Sequence, residues 1–187
     1  MSPRADAVRS RERILEIART HDPRALRLND IAREAGVGIG TVYRHFPTAR
    51  ALVEALSVDS LARLEAAAEA SIADADPASA LRRFVCDAVA LQLEDGGLEA
   101  VLTDLEQTDA AMHTECTAAR AKVFDGYAAV LGRAQRADVA RADLTPAQLR
   151  RLVCGIEHAV RLGSPDDREL LIDILLAGIR PAAVAAH

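Results

Sequence analysis

The chain has 187 residues, of which half are hydrophobic and 27% are charged, and its formal net charge is −5. This length suits one or two small domains, and the composition supplies enough apolar residues for a packed core. No apolar run approaches the roughly 18 residues of a membrane span, and the arginine-rich N-terminus lacks the apolar centre of a secretory signal. We therefore expect a cytoplasmic protein with no membrane partner.

The charge is divided unevenly along the chain. Residues 1–50 hold ten arginines against six acidic residues, a net charge of +4, whereas residues 51–187 hold 13 basic against 22 acidic residues, a net charge of −9. A basic end on an acidic body is typical of a protein that presents one end to phosphate groups. We therefore predict two domains, a basic one over 1–50 that faces phosphate groups and an acidic one over 51–187.

The hydrophobic periodicity is helical almost throughout, so we predict an all-α fold. Proline and glycine fall between the periodic segments, and Asp76-Pro77 and Thr145-Pro146 each pair a helix cap with a proline at the first helical position. The predicted helices, in chain order, cover about 7–20, 28–46 (two short helices), 49–72, 77–93, 98–105, 109–134, 145–162 and 166–179.

The segment 28–46 is the most informative part of the chain. Ile31, Ala32 and Ala35 recur at helical spacing, and Gly36 follows where a left-handed residue usually ends a helix. A second short helix then carries Val42 and Phe46 on one face and polar side chains on the other. A helix, a glycine turn and a second helix predict a helix-turn-helix unit, whose second helix enters the DNA major groove.

The residue order from Ile31-Ala-Arg-Glu-Ala-Gly-Val through Gly40-Thr-Val-Tyr-Arg-His-Phe-Pro47 resembles the TetR family of bacterial transcriptional regulators. The resemblance covers about residues 7–57; the remaining chain shows only the family's general layout. It implies a three-helix N-terminal DNA-binding domain, followed by a helical C-terminal domain that binds a small-molecule effector and dimerises through its last two helices. It also implies a homodimeric repressor of a palindromic double-stranded DNA operator.

Side chains around the second helix of the motif are the candidate DNA contacts. Arg44 and His45 fit groove or phosphate contacts, against the alternative of a solvated helix end, and Tyr43 fits a phosphate contact, against packing on the first helix. The glycines either permit close approach to DNA or only shape the turn. The predicted DNA-binding residues are Arg27, Gly38, Ile39, Gly40, Thr41, Tyr43, Arg44, His45 and Arg50.

The motif departs from the family pattern at two positions. Arg27 stands where the family usually has a serine or threonine cap, and arginine has no acceptor for the amide hydrogen bond of a cap, although it can reach a phosphate. Ala49 stands where a basic residue is common, and we expect Arg50 to serve the same phosphate from another angle.

The effector site is less marked in the sequence. Only three aromatic residues follow position 50, which favours a small or aliphatic ligand over a large planar one, and core packing is their alternative role. We predict no cofactor. A soft metal could be bound by two groups of side chains, His113 with Cys116 and Cys154 with Glu157 and His158. The favoured interpretation is that these side chains are unrelated. The candidate effector-binding residues are Phe84, Gln92, Asp104, His113, Phe124, Tyr127, Glu157 and His158.

The last two predicted helices carry dense apolar sets, and the final one is apolar nearly all round. Because a lone terminal helix is seldom covered on two sides, this pattern favours a dimer interface over a core alone. The predicted interface residues are Leu149, Val153, Ile156, Val160, Leu171 and Leu175.

Two other functions were weighed against a ligand-responsive regulator. The sequence contains no nucleophile elbow, phosphate-binding loop, metal-ligand pattern or convincing acid–base pair, so we do not expect an enzyme. The alternative is a helical protein–protein interaction module without specific DNA binding, in which the arginine-rich end would be incidental.

Overall fold

A computed structural model describes residues 3–103 and 114–181. Ten α-helices span these residues: α1 (Pro3–Ala18), α2 (Leu28–Ala35), α3 (Ile39–His45), α4 (Ala49–Leu56), α5 (Val58–Ala73), α6 (Pro77–Glu94), α7 (Leu98–Thr103), α8 (Thr114–Arg136), α9 (Pro146–Leu162) and α10 (Arg168–Gly178). The described chain has no strand, and the expectation of an all-α fold is confirmed.

Helices α1 to α3 pack as a small unit, which we call the head. Their shared core is built from Ile14, Ala18, Ile31, Val42 and Phe46, none of which exposes more than a trace of surface. This core sets the angle between α2 and α3, so that the second helix of the motif presents its opposite face to solvent.

The body is a bundle in which α5, α6, α8 and α9 pack against one another, with α10 against α9 and α6. Its core includes Leu64, Leu81, Phe84, Tyr127 and Leu149. The short α7 contacts both α4 and α9, so it lies where the head's connecting helix meets the body. No helix in the described ranges is long and apolar enough to cross a membrane.

Helix starts follow the capping chemistry of the sequence. The Asp76 carboxylate accepts from the amides of Ala78 and Ser79, and Thr145 forms a reciprocal capping box with Gln148. Thr48 Oγ1 likewise accepts from the amide of Ala51 at 3.0 Å. These bonds satisfy amides that the first helical turn leaves without intrahelical partners.

Two predicted helices differ from the structure. The helix expected over 49–72 is two helices, since Ser57, at φ −85° and ψ −1°, interrupts the helical pattern. The last helix begins two residues later than expected, because Ser164 caps a 3₁₀ turn over Pro165–Asp167 before α10 starts. Residues 104–105 of the helix predicted over 98–105 and residues 109–113 of the helix predicted over 109–134 lie outside the described residues.

A glycine sets the spacing of the most extensive helix pair in the body, α5 with α8. A Cβ at Gly126 would lie 2.7 Å from the Cβ of Ala68, which real structures essentially never show. We expect Gly126→Ala to lower stability by about 1 kcal/mol, since an overpacking cost of about 1–3 kcal/mol exceeds the roughly 1 kcal/mol gained in helix propensity. Thermal unfolding would then shift down by about 2–4 °C.

Gly132→Ala is the matched control on the same helix. The nearest heavy atom there is the flexible end of the Arg136 side chain, 3.4 Å away, so this variant should match or exceed the stability of the parent. Equal melting temperatures for the two variants would contradict a close α5–α8 contact at Gly126.

Candidate functional site

The turn between α2 and α3 is built on Gly36. Its φ of 64° lies in the left-handed region, and its amide bonds back to the carbonyls of Ala32 and Arg33. The Val37 amide also donates to Ala32 O at 3.0 Å. Residues with a Cβ rarely adopt this φ. Glycine at this position therefore lets α2 end and α3 begin within three residues.

Helix α3 turns one face inward and the other to solvent. Val42 and the following Phe46 are fully buried, while Tyr43 is 49% and Ile39 is 40% exposed. Arg44 is exposed and folds back along the helix, with Nε donating to Gly40 O at 3.1 Å and Nη2 to Thr41 Oγ1 at 3.0 Å. The structure therefore places the predicted polar set on one accessible surface.

The small residues of α3 leave open space around its first turn. A Cβ at Gly40 would meet nothing within 4 Å, and one at Gly38 would meet only Thr41 Oγ1 at 4.0 Å. Gly38 has a φ of −66°. The backbone conformation of Gly38 therefore does not require glycine, and both positions leave space on the outer face of α3.

His45 is half-buried beside the basic end of the head. Burial, with the nearby charges of Arg11 and Arg44, lowers the pKa of His45 below its ordinary value of 6.5. Its imidazole is therefore neutral near pH 7 in the free protein, and it offers one N–H donor and one acceptor at the rim of the α3 surface.

The two departures from the family pattern have different outcomes. Arg27 precedes α2 without a side-chain cap bond, is exposed, and makes no ion pair with the described residues. Arg50, in contrast, points to the junction with the body, where its Nε lies 2.9 Å from Oε1 of the buried Glu54. The sequence prediction that Arg50 meets a phosphate missed this internal partner.

Three of the predicted effector residues meet in the body. The rings of Phe84 and Tyr127 pack edge to face with centroids 4.7 Å apart, and Phe124 lies half-buried nearby on α8. Sequence reasoning missed Arg150, which is only 3% exposed. Its Cζ lies 4.5 Å from the Phe124 ring centroid. Its spacing of four and seven residues from Cys154 and Glu157 on one helix could have placed it on this inward face.

Two other predicted residues, Gln92 and Glu157, are fully buried in a separate cluster. Glu157 pairs with Arg161 through Nε, and Arg161 Nη2 donates to the carbonyl of Gln92 at 2.7 Å. Arg24 Nη2, from the loop between α1 and α2, lies 3.4 Å from the same Glu157 oxygen and 3.7 Å from Glu99. This cluster, which sequence reasoning missed in part, connects the head to α7 and α9.

The remaining candidates do not join these clusters. His158 is exposed on α9, so it does not face the core, and Asp104 and His113 lie outside the described residues. Burial raises the pKa of Cys116 to about 11 and that of Cys154 to about 12, so both thiols keep their protons. Within residues 3–103 and 114–181 no three His, Cys, Asp or Glu side chains are placed to hold a metal ion.

The predicted interface residues fall mainly on the inward faces of α9 and α10. Leu149, Val153, Val160 and Leu175 are at most 7% exposed within the protomer, so they offer a partner almost no surface, which corrects the residue-level prediction. Ile156 and Leu171 are half-buried. The exposed apolar side chains on these helices are Leu152, Leu162, Leu170 and Ile174, at 42–77%.

Family models match both parts of the chain. Residues 12–56 match the model of bacterial regulatory proteins of the TetR family, and residues 76–181 match the C-terminal domain of SbtR-like transcriptional regulators. No curated protein sequence is significantly similar to the chain.

Solved structures of transcriptional regulators are similar to this chain. A TetR regulatory protein from Mycobacterium vanbaalenii is 32% identical, over 96% of this chain and 99% of its own, with a TM-score of 0.49. A TetR transcriptional regulator from Streptomyces coelicolor is 30% identical, over 92% of this chain and 99% of its own, with a TM-score of 0.56. FadR from Bacillus subtilis, solved with stearoyl-CoA, is 15% identical, over 92% of this chain and 99% of its own, with a TM-score of 0.60.

The helix-turn-helix geometry, the two family models and the identity over nearly the whole chain agree with one another. The chain belongs to the TetR family of bacterial transcriptional regulators.

Proposed function

We propose that this regulator is a homodimeric repressor that binds a palindromic operator through the outward face of α3 and responds to a small-molecule effector in its body. The observation that carries the proposal is the accessible surface formed by Thr41, Tyr43 and Arg44 above a fully buried Val42. We also keep the division at residue 50, with the DNA-binding domain over 1–50 and the effector and dimerisation domain over 51–187.

The arrangement of α3 supports major-groove binding. Arg44 lies on the exposed face with donors that match the O6 and N7 acceptors of guanine, and the free protein holds them only through bonds to Gly40 and Thr41 of its own helix. Tyr43 carries an exposed hydroxyl, and Arg27 is free to meet a phosphate. Arg50 is left out of the contact set because Glu54 holds it.

Dimerisation is supported by the exposed apolar side chains of α9 and α10. Leu170 and Ile174 lie one turn apart on α10, and Leu152 and Leu162 lie on the neighbouring α9. A two-fold dimer formed through this surface would carry two heads, and the operator half-sites would lie about one DNA turn, ~34 Å, or a multiple of that apart.

An effector role for the body is supported by its buried polar clusters and by the fold that it shares with FadR of Bacillus subtilis, which was solved with stearoyl-CoA. The likeness to that protein concerns the fold, so it does not identify the effector of this chain.

The test of DNA binding is selection from a random pool of 30-base-pair duplexes by the full-length protein. We expect enrichment of a palindrome, and affinity for the selected duplex should fall steeply between about 50 and 200 mM salt. Enrichment of no sequence would contradict the repressor and favour the helical protein–protein interaction module.

Arg44→Ala should weaken binding to the selected duplex by about 5- to 150-fold, because a bidentate base contact contributes about 1–3 kcal/mol. Fluorescence anisotropy with a labelled duplex measures this change. The control is Arg63→Ala, which removes the same charge from an exposed position on α5. Equal losses in the two variants would mean that only net charge matters and would contradict groove recognition by Arg44.

A further inference from the structure

Arg150 is a buried cation without a carboxylate partner among the described residues. Only 3% of its surface is exposed, its Nη1 makes no hydrogen bond with the described residues, and its guanidinium lies over the face of the Phe124 ring. Burial lowers the pKa of Arg150, but a guanidinium stays charged in proteins. A buried charge of this kind is costly unless an anion compensates it.

A second unpartnered donor lies close to this guanidinium. Tyr127 is 1% exposed, and its hydroxyl has no hydrogen-bond partner in the structure. Burial raises the pKa of Tyr127, so the hydroxyl keeps its proton and remains a donor. Two buried donors without acceptors on neighbouring helices indicate that an acceptor from outside the protein belongs between them.

Both residues line one cavity of about 290 Å³ between α8 and the start of α9. The remaining lining residues are Phe124, Thr145, Pro146 and Ala147, so the walls away from Arg150 are mainly apolar. This volume lies at the lower end of the ~300–1,000 Å³ usual for ligand sites, so it suits a small molecule.

We propose that this cavity binds a small carboxylate whose apolar body lies against Phe124, Pro146 and Ala147. The planar fork of Arg150 matches a carboxylate with two parallel hydrogen bonds, and Tyr127 donates a third. Among the residues that line the cavity, Arg150 alone carries a charge, which favours a monocarboxylate over a phosphate. The inference rests on the proposed effector function and names the chemical class of the effector.

The experiment is calorimetric titration of the full-length protein, without DNA, with benzoate and with hexanoate. Benzamide is the uncharged match of benzoate. We expect at least one carboxylate to bind and to raise the melting temperature by mass action, and benzamide to bind at least tenfold more weakly than benzoate. Failure of both carboxylates to bind would overturn the proposal.

Arg150→Met keeps the side-chain length and removes the charge. We expect it to weaken carboxylate binding at least tenfold, while the ligand-free melting temperature stays equal or rises because an uncompensated charge is gone. Arg151→Met is the matched control, since Arg151 is exposed on the same turn and bonds only to its own helix at Ala147 O. Equal losses in the two variants would overturn the assignment.

Tyr127→Phe tests the same site by melting temperature and carboxylate binding, and this test holds even if the Arg150→Met variant does not fold. Because the hydroxyl has no partner, its loss should leave the melting temperature unchanged or raised and weaken carboxylate binding severalfold. No carboxylate binding by the parent, combined with a lower melting temperature in Arg150→Met, would overturn the proposal and show that the guanidinium stabilises the free protein.

These outcomes separate the site from the proposed function. Carboxylate binding by a protein that selects no duplex would leave the site standing and contradict the repressor. A protein that selects an operator but binds neither carboxylate would contradict the site alone.

Discussion

Replacing Ile174 with glutamate should disrupt the proposed dimer and leave a folded monomer. Ile174 is 58% exposed in the protomer and Leu170, one turn earlier on α10, is 60% exposed, so neither side chain supports the protomer's own core. Large apolar side chains exposed in a row on one helix mark an interaction surface. Leu170→Glu should therefore have the same effect as Ile174→Glu.

The size of the effect follows from two-fold symmetry. Burying one isoleucine contributes about 1.5–3 kcal/mol, and each substitution occurs twice in the interface. The combined loss of about 3–6 kcal/mol corresponds to a roughly 10²- to 10⁴-fold weaker dimer. Operator affinity should fall with it, because a monomer meets only one half-site at a time.

Light scattering after size exclusion measures this change at about 10 μM protein, where a chain of 20.0 kDa is readily told from its dimer. Ile72→Glu is the matched control, since Ile72 is 43% exposed at the end of α5, away from the proposed interface. Leu175→Glu should instead unfold the protomer, because Leu175 is 7% exposed and packs inward. A dimeric Ile174→Glu variant would place the interface elsewhere.

Leu175 is buried in the protomer whereas Ile174 is exposed, and the sequence alone did not distinguish these two positions. A final helix with apolar residues nearly all round predicts burial on two sides, but periodicity does not say which side faces the protomer. That choice depends on how α6 and α9 pack against α10, and the contacts between α6 and α10 join residues that are far apart in sequence. The sequence therefore predicted the helices of the interface and selected mainly their inward residues.

The helix-turn-helix geometry was more predictable because its determinants are local. Gly36, Val42 and Phe46 lie within eleven residues of one another, and their roles follow from turn chemistry and helical spacing. The ion pair of Arg50 was not predicted, because the burial of its partner Glu54 depends on the packing of α4 against α1, α5 and α7. Arg150 was missed because its burial depends on α8, whose Phe124 and Tyr127 lie more than twenty positions away.

The second large effect is expected at Glu157, which is fully buried between two arginines from different parts of the molecule. Arg161 lies one turn along α9, and Arg24 reaches in from the head to 3.4 Å. Glu157→Gln removes the negative charge while both cations stay. We expect a loss of about 3 kcal/mol, since breaking a buried ion pair leaves charge uncompensated.

Thermal unfolding should report this loss as a fall of about 6–12 °C in melting temperature. Glu94→Gln is the matched control, because Glu94 pairs with Arg63 at 2.8 Å in an exposed position, where an ion pair contributes about 1 kcal/mol or less. Similar shifts in the two variants would contradict a special role for the buried carboxylate.

The contact between Arg24 and Glu157 also makes this cluster a physical connection between head and body. Arg24 is 41% exposed, so Arg24→Met should cost little stability, about 1 kcal/mol or less, while it frees the loop between α1 and α2. Combining it with Glu157→Gln tests the connection, since residues in contact usually show interaction energies of about 0.5–3 kcal/mol. If the two losses simply add, Glu157 stabilises the body alone and the head is positioned by other contacts, such as the packing of Pro23 and Val53 around Gly97.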